Sequence, residues 1–392
     1  MSSLEKKVLK VDVIKIVNNI FNFAIKEGAS DIHIEPREEN ADIRFRIDGI
    51  LKKIDSAGHE IYEMIVGRIK VMSDMETTGQ PRPQEGRIKY DIENREVDFR
   101  VSVFPTTHGE CIVLRILENV EVFSKFSDLG LSPEQAKIME GQITRSYGLI
   151  LVTGPTGSGK STTLFTALNR LNDPGKSLVT LEDPVERKIE MVRQTQINPD
   201  VGLTFASGLR YLVRQDPNVI MVGEIRDKET AQIAVHAAIT GHLVLATIHT
   251  NNAAGAIVRL INMEVEPFLL ASALRLVTAQ RLARIMCPSC RQAFQPTPEL
   301  IEKIKAPQGM RFHQAEGCNE CGQKGTKGRT GIHELLVVNK TIRELIYTSP
   351  SDVQINGMAI KEGMASLKDA AFQKVHEGEI SIEEALRLTE VN

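Results

Sequence analysis

Apolar residues between positions 11 and 27 (VDVIKIVNNIFNFAIKE) recur at helical spacing and predict an amphipathic helix ending near Gly28. The period then drops to two. Segments 31–35 (DIHIE), 42–47 (DIRFRI) and 50–54 alternate apolar and polar residues about an Asp48-Gly49 turn, which is a hairpin signature. A second helix is expected over 60–72, then a polar Gly/Pro stretch over 77–86 and two further strands over 96–103 and 111–117. Residues 1–118 therefore predict a mixed α/β domain with an antiparallel sheet. Residues 119–130 are expected to be a linker.

From 131 to 392 the rhythm changes. Short apolar runs at 149–153 (LILVT), 177–183 (SLVTLED), 219–224 (VIMVGE) and 242–249 (HLVLATIH) alternate with helical stretches. Strands buried on both faces suggest a mostly parallel sheet with helices on each side. A Gly/Pro/Cys-rich insertion, 284–330, interrupts this pattern, and 340–392 predicts C-terminal helices.

The first of those apolar runs is followed by G-P-T-G-S-G-K-S at 154–161. This is a complete phosphate-cradling loop in the strand–loop–helix setting that the chemistry needs. Backbone N–H groups along Gly154, Pro155, Thr156, Gly157, Ser158, Gly159, Lys160, Ser161 and Thr162 converge on phosphate oxygens, Pro155 excepted because it has no N–H. Lys160 can reach the outer phosphates and Ser161 can hold Mg²⁺. The expected fold class is α/β, with a RecA-like P-loop core, and the expected activity is that of a nucleoside triphosphatase.

Phosphoanhydride hydrolysis also needs a metal, a positioned water with a base, and cations for the charge developing on the γ-phosphate. Glu224, at the end of VIMVGE, suits a water-orienting or general-base role, although a Glu at a strand end is more often a solvated turn residue. Glu182 and Asp183 end SLVTLED. As neighbours they point to different sides, so one is expected to position Mg²⁺ or its waters, with a simple turn before Pro184 as the alternative. His249 ends HLVLATIH and could sense the γ-phosphate, or be a satisfied core or cap residue. In the first domain Arg100, Arg115, Arg44 and Arg46 fit solvated strand faces better than charge-stabilising roles when judged on pattern alone.

Composition narrows the field. With 48 basic and 51 acidic residues the net charge is −3, which argues against wholesale coating of nucleic acid while leaving room for a local basic patch. Trp is absent and aromatic residues are only 5%, so no base-stacking platform is suggested. No apolar run approaches the ~18–20 residues needed to span a bilayer. The opening MSSLEKKVLKVDV lacks the h-region of a secretory signal, so a cytoplasmic protein is expected. Cys111 lies in an apolar run and is expected in the core. The other cysteines form two C-x-x-C pairs, Cys287/Cys290 and Cys318/Cys321, whose four thiolates fit a closed structural Zn²⁺ site. The basic stretch 324–329 keeps a nucleic-acid-binding zinc ribbon open as an alternative.

Taken together, these strings resemble the type II secretion and type IV pilus assembly ATPase family. The likeness is carried by G-A-S-D-I-H-I-E-P at 28–36, I-R-F-R-I-D-G at 43–49, the loop at 154–163, E-D-P-V-E at 182–186 and R-Q-D-P-N-V-I-M-V-G-E-I-R-D at 214–227. T-G-H-L-V-L-A-T-I-H-T-N at 240–251, A-Q-R-L-A-R-I-M-C at 279–287, the paired cysteines and G-R-T-G-I-H-E at 328–334 complete it.

The resemblance implies that 154–161 is the Walker A loop and that Glu182 and Asp183 lie in an Asp box. It makes Glu224 the Walker B glutamate and puts His249 in a His box. It assigns Arg100 and Arg115 to the two first-domain arginines that reach the nucleotide phosphates, which reverses the solvated-face reading. It further implies a PAS-like first domain and an ATP- and Mg²⁺-dependent homo-hexamer with structural Zn²⁺. That ring works with an inner-membrane platform protein from the cytoplasmic side, peripheral to the membrane and with no nucleic-acid partner. Members of the family usually carry an extra amino-terminal domain, whereas this chain begins almost directly at the domain that follows it. Residues 75–82 (METTGQPR) also differ from the family's usual charged approach. Alternatives are a pilus-retraction ATPase, against which the cysteine pairs speak, or a nucleic-acid translocase.

Overall fold

The computed structural model describes residues 12–389, apart from 48, 93–94, 118–122 and 305–308. Position 11 of the expected first helix, Asp48 of the expected turn, 119–122 of the expected linker and 390–392 of the C-terminal segment lie outside the described residues. The chain divides into two compact units, Met1–Val120 and Glu121–Asn392.

The first unit runs α1 (Val13–Lys26), β1 (Ala29–Pro36), β2 (Asn40–Ile47), β3 (Ile50–Gly58), α2 (His59–Met72), β4 (Gln84–Ile92), β5 (Arg95–Thr106) and β6 (Gly109–Leu117). Its six strands form one antiparallel sheet in the order β3-β2-β1-β6-β5-β4. The Asp12 carboxylate accepts from Lys15 N and starts α1, and Gly28, at φ 66°, lets the chain turn out of it. Val17, Phe21 and Ala24 bury one stripe of α1, and Phe21 stacks on Phe99 with ring centroids 4.5 Å apart. Ile32, Ile34, Phe45, Ile112 and Leu114 complete that core.

The opposite sheet face is polar. Across it Arg87, Arg100, Arg115, Asp31 and Arg46 stand in successive register. Cys111 is half-buried on this outer face instead of lying in the core, because its alternation follows Val113 and Arg115 and not Ile112 and Leu114.

The second unit continues with α3 (Pro133–Ile143), β7 (Gly148–Thr153), α4 (Lys160–Leu171), β8 (Leu178–Glu182), β9 (Val192–Gln196) and α5 (Phe205–Leu212). Next come β10 (Val219–Val222), α6 (Lys228–Ile239), β11 (Leu243–Ile248), α7 (Ala253–Asn262), α8 (Pro267–Ala273), β12 (Leu274–Met286), β13 (Arg291–Phe294), α9 (Pro298–Ile304), β14 (Phe312–Ala315) and β15 (Thr326–Val337). The unit ends with α10 (Lys340–Ile346), α11 (Asp352–Lys361), α12 (Leu367–His376) and α13 (Ile382–Thr389).

The main sheet has seven strands in the order β15-β12-β7-β11-β10-β8-β9, parallel except for β15. Every residue of β7, β8, β10 and β11 is buried, as expected for strands covered on both faces. The fold class is therefore α/β with a largely parallel sheet.

Four strands lack the patterns sought in the sequence. β4 and β9 are edge strands rich in charged and polar residues. β12 and β15 bury Gln280, Arg281, His333 and Glu334 within a long antiparallel pair, so their apolar runs are broken. The cysteine-bearing segment, with the two-stranded β13–β14 sheet, lies between these two strands. Of the expected linker, Phe126 and Leu129 are buried, and the Leu129 carbonyl accepts from His333 Nε2 at 3.0 Å.

Candidate active site

The loop between β7 and α4 is built for close approach of its backbone. Gly154, Gly157 and Gly159 have φ of 148°, 77° and 86°, values that side chains disfavour. Gly159 caps α4 without a side-chain acceptor, so the first N–H groups of this helix remain available to an anion. Lys160 Nζ curls back over the loop and donates to the carbonyls of Gly154 at 2.9 Å and Pro155 at 3.0 Å. Burial and the Arg281 cation lower its pKa, while Glu224 and Glu186 oppose that shift. A triphosphate would supply the counter-charge that this desolvated ammonium lacks.

Glu224 lies two residues beyond β10 and not on the strand itself. Its turn is pinned from both sides: Gly223 N donates to Leu181 O at 2.7 Å, and Ile225 N to Thr247 O at 2.8 Å. The carboxylate is mostly buried, pairs with Arg226, and lies 3.5 Å from His249 Nε2. His249 follows directly on β11 and is half exposed. Burial, and then the Lys160 cation, lower its pKa, so the ring is neutral at pH 7. Thr153 Oγ1 donates to Ile248 O at 2.8 Å and accepts from Thr250 N at 2.8 Å, which ties the start of the phosphate loop to the segment carrying His249. Lys160, Glu224 and His249, which are far apart in sequence, thus share one edge of the sheet.

Glu182 is elsewhere in this geometry. Its carboxylate is buried and accepts from Thr180 Oγ1 and from Gln194 Nε2 on β9, and burial raises its pKa. Asp183 is more exposed and faces Arg226 at 4.0 Å. Arg100 and Arg115 belong to the first unit. Arg100 Nη2 donates to Glu85 at 2.9 Å, and Arg115 Nε to Asp31 at 3.0 Å.

The four sulfurs of Cys287, Cys290, Cys318 and Cys321 lie within 4.8 Å of one another, with separations of 3.8 and 4.0 Å among them. A tetrahedral ion bonded to sulfur at ~2.3 Å requires sulfurs roughly 3.8 Å apart, so the set fits zinc. Burial disfavours the Cys321 thiolate, but N–H groups of Cys318 and Gly325, each 3.2 Å away, bring its pKa down to about 6.

The sequence profile described as "Type II/IV secretion system protein" matches residues 7–387. The chain belongs to this family. It is 45% identical over 379 residues to the "Type II secretion system ATPase E" of Vibrio cholerae, covering 96% of this chain and 75% of that protein. It is 43% identical over 379 residues to the "Type IV pilus assembly ATPase PilB" of Thermus thermophilus, covering 96% of this chain and 43% of that one. Among solved structures it resembles the pilus retraction motor PilT with bound ADP (TM-score 0.63, 27% identity, 95% and 96% coverage).

Two cations of this site carry no role that the sequence alone suggests. Arg226 was visible only as the R of G-E-I-R-D. Arg281 is buried on β12, donates to the carbonyls of Gln280 and Asn251, and lies near enough to Lys160 to depress its pKa. In the sequence it shows only as the first R of A-Q-R-L-A-R-I-M-C and as a charged residue inside a largely apolar run.

Proposed function

We propose that the chain is an ATP-hydrolysing motor for type II secretion or type IV pilus assembly. The observation that carries this reading is the meeting of Lys160, Glu224 and His249 beside a glycine-rich anion loop, in a chain that belongs to the type II/IV secretion family.

In this reading residues 154–162 cradle ATP, Lys160 binds the outer phosphates and the Ser161 hydroxyl is a ligand for Mg²⁺. Glu224 takes the proton of the attacking water, oriented by its pairing with Arg226 and by neutral His249. Asp183 is the better placed carboxylate for the metal's waters. Glu182, engaged by Thr180 and Gln194, holds the 182–187 segment in position. Arg100 and Arg115, from a PAS-like first domain of residues 1–118, offset charge on the transferred phosphate after the 119–130 connection to the 131–392 motor domain. The 284–330 module holds structural zinc, and 340–392 forms a helical end.

The reading includes a homo-hexamer working at an inner-membrane platform protein on the cytoplasmic face, with no nucleic-acid partner; the names of the relatives reach only as far as secretion and pilus assembly. No helix among the described residues is long and apolar enough to cross a membrane; in this reading membrane association runs through partners. The test is phosphate release by the purified chain, with and without DNA, and with and without the cytoplasmic part of a platform protein. Stimulation by the platform supports the motor reading. Strong stimulation by DNA, with a steep salt dependence, would overturn it in favour of a translocase.

A further inference from the structure

One buried side chain lies directly beneath the phosphate loop and has no role in the reading above. Gln280, in the middle of β12, is 2% exposed. Its Nε2 donates to the Ser158 carbonyl at 2.6 Å, and its Oε1 accepts from Thr163 Oγ1 in the first turn of α4 at 2.8 Å. The Ser158 carbonyl can only accept, so this orientation of the amide is the one that satisfies both partners.

The loop's glycines meet the same residue. A Cβ on Gly154 would come within 2.5 Å of the Gln280 carbonyl, and one on Gly159 within 3.1 Å of Gln280 Nε2. The first and last glycines of the loop therefore rest on the backbone and the side chain of one strand residue. Ser158 and Thr163 are themselves buried, so water is not a ready substitute for either bond.

We propose that Gln280 is a positioning residue that sets the phosphate loop in its anion-binding conformation by joining the Ser158 carbonyl to the start of α4. In a trans peptide the C=O and N–H point opposite ways, so a Ser158 carbonyl held down on the amide turns the Gly159 N–H of the same peptide away from β12. Without the amide, the Ser158 peptide has no fixed partner below and the converging N–H groups lose their common aim. This inference rests on the nucleotide reading of the loop.

The test measures affinity for fluorescently labelled Mg-ADP, with apo thermal midpoint and zinc content as fold controls. Gln280→Met keeps the volume and removes both bonds. It is expected to weaken binding about tenfold or more, about 1.4 kcal/mol. Gln280→Glu keeps the acceptor for Thr163 but sets a carboxylate against the Ser158 carbonyl, so at pH 8 it should also bind weakly. At pH 6 a protonated carboxyl can donate to Ser158 O, and affinity relative to the parent chain should recover. Packing alone would not produce that recovery.

Binding by Gln280→Met within twofold of the parent overturns the assignment. So does a Gln280→Glu defect that is flat with pH relative to the parent. If Gln280→Met does not fold, the pH series of Gln280→Glu decides alone. Lys160→Ala is run alongside. If it binds the probe like the parent, the nucleotide reading fails and the Gln280 role fails with it. If it loses binding while Gln280→Met does not, only the Gln280 role fails.

Discussion

His249 Nε2 lies 3.5 Å from the Glu224 carboxylate, and both sit within electrostatic reach of Lys160. The pairing with Arg226 on one side and the His249 ring on the other hold the Glu224 carboxylate in one orientation, as a proton acceptor requires. Glu224→Gln should therefore bind nucleotide within a few-fold of the parent and hydrolyse it at least about 10²-fold more slowly. Phosphate release beside a binding titration checks this, and unaltered turnover would remove Glu224 from the role of base.

Lys160→Ala addresses the loop itself. The side chain spans the loop to two of its own carbonyls and is held desolvated with a lowered pKa, so an incoming phosphate gains a charge-assisted bond that water would otherwise screen. Its removal should abolish hydrolysis and weaken Mg-ATP binding by about two orders of magnitude, an effect of roughly 2.7 kcal/mol. The expected cost in apo stability is small, because removing the ammonium removes its desolvation cost together with its two bonds. Calorimetric titration and thermal melting separate these effects.

Much of this site was legible in the sequence because its signals are local. The phosphate loop is a contiguous octet between an apolar run and a helix, and the cysteine pairs are two short spacings. The alternation in β1, β2, β5 and β6 follows directly from one buried and one open face. What escaped notice depends on partners far away in the chain. Gln280 in β12 is satisfied by Ser158 and Thr163, and Glu334 in β15 by the backbone N–H groups of Ala253 and Leu367. Polar residues of this kind break an apolar run and look like surface until the fold brings their partners to them. Arg226 escaped for the opposite reason, since a charged residue after a strand end looks like any other solvated loop.

The cysteine module should respond to metal removal without disturbing the phosphate loop. It leans on the C-terminal helices through one backbone and one side-chain bond: Met286 N donates to Glu379 O at 2.8 Å, and Arg291 Nη1 to Gly378 O at 2.6 Å. Chelation, or Cys318→Ser, is expected to release about one zinc per chain and lower the melting temperature by several degrees. Protease sensitivity should appear first in 287–330 and then in α12 and α13. Nucleotide affinity should change less than about threefold. Its loss on mild chelation would contradict a purely structural site.

His333 predicts a specific acid sensitivity. Burial brings its pKa down to about 4, outweighing the bond to the Leu129 carbonyl, and its Nδ1 has no partner. Above about pH 6.5 the ring is neutral in both the folded and the unfolded chain, so it gives no pH dependence. Between about 6.5 and 4 the unfolded chain takes up a proton that the folded chain refuses. Stability then falls with pH by up to about 1.4 kcal/mol per unit and levels off below 4. His333→Gln should flatten this window in denaturant titrations at pH 7 and pH 5. Glu384 acts lower down. Burial would raise its pKa, but bonds from Arg387 and Arg284 hold it at about 2, so its contribution is lost between about pH 4.5 and 2 and survives the His333 substitution.

Arg100 and Arg115 carry the claim that two units cooperate. They are register partners on β5 and β6, on the polar face of the first unit's sheet, paired with Glu85 and Asp31. The Arg100–Glu85 pair is exposed on both sides and contributes little to folding, so Arg100→Ala should melt close to the parent, whereas Arg115→Ala leaves the buried Asp31 to Arg46 and Ser30 and should lower the melting temperature somewhat more. If they offset charge developing on the transferred phosphate, each substitution should slow turnover by about 10²-fold or more while ATP still binds to the second unit. Arg100→Lys restores charge without the planar fork and should recover only part of the rate. Steady-state phosphate release, set beside nucleotide affinity and melting temperature, isolates the effect. Unaltered turnover in both alanine variants would mean that the first unit takes no part in the chemistry, and any mechanical role for it would have to act after hydrolysis.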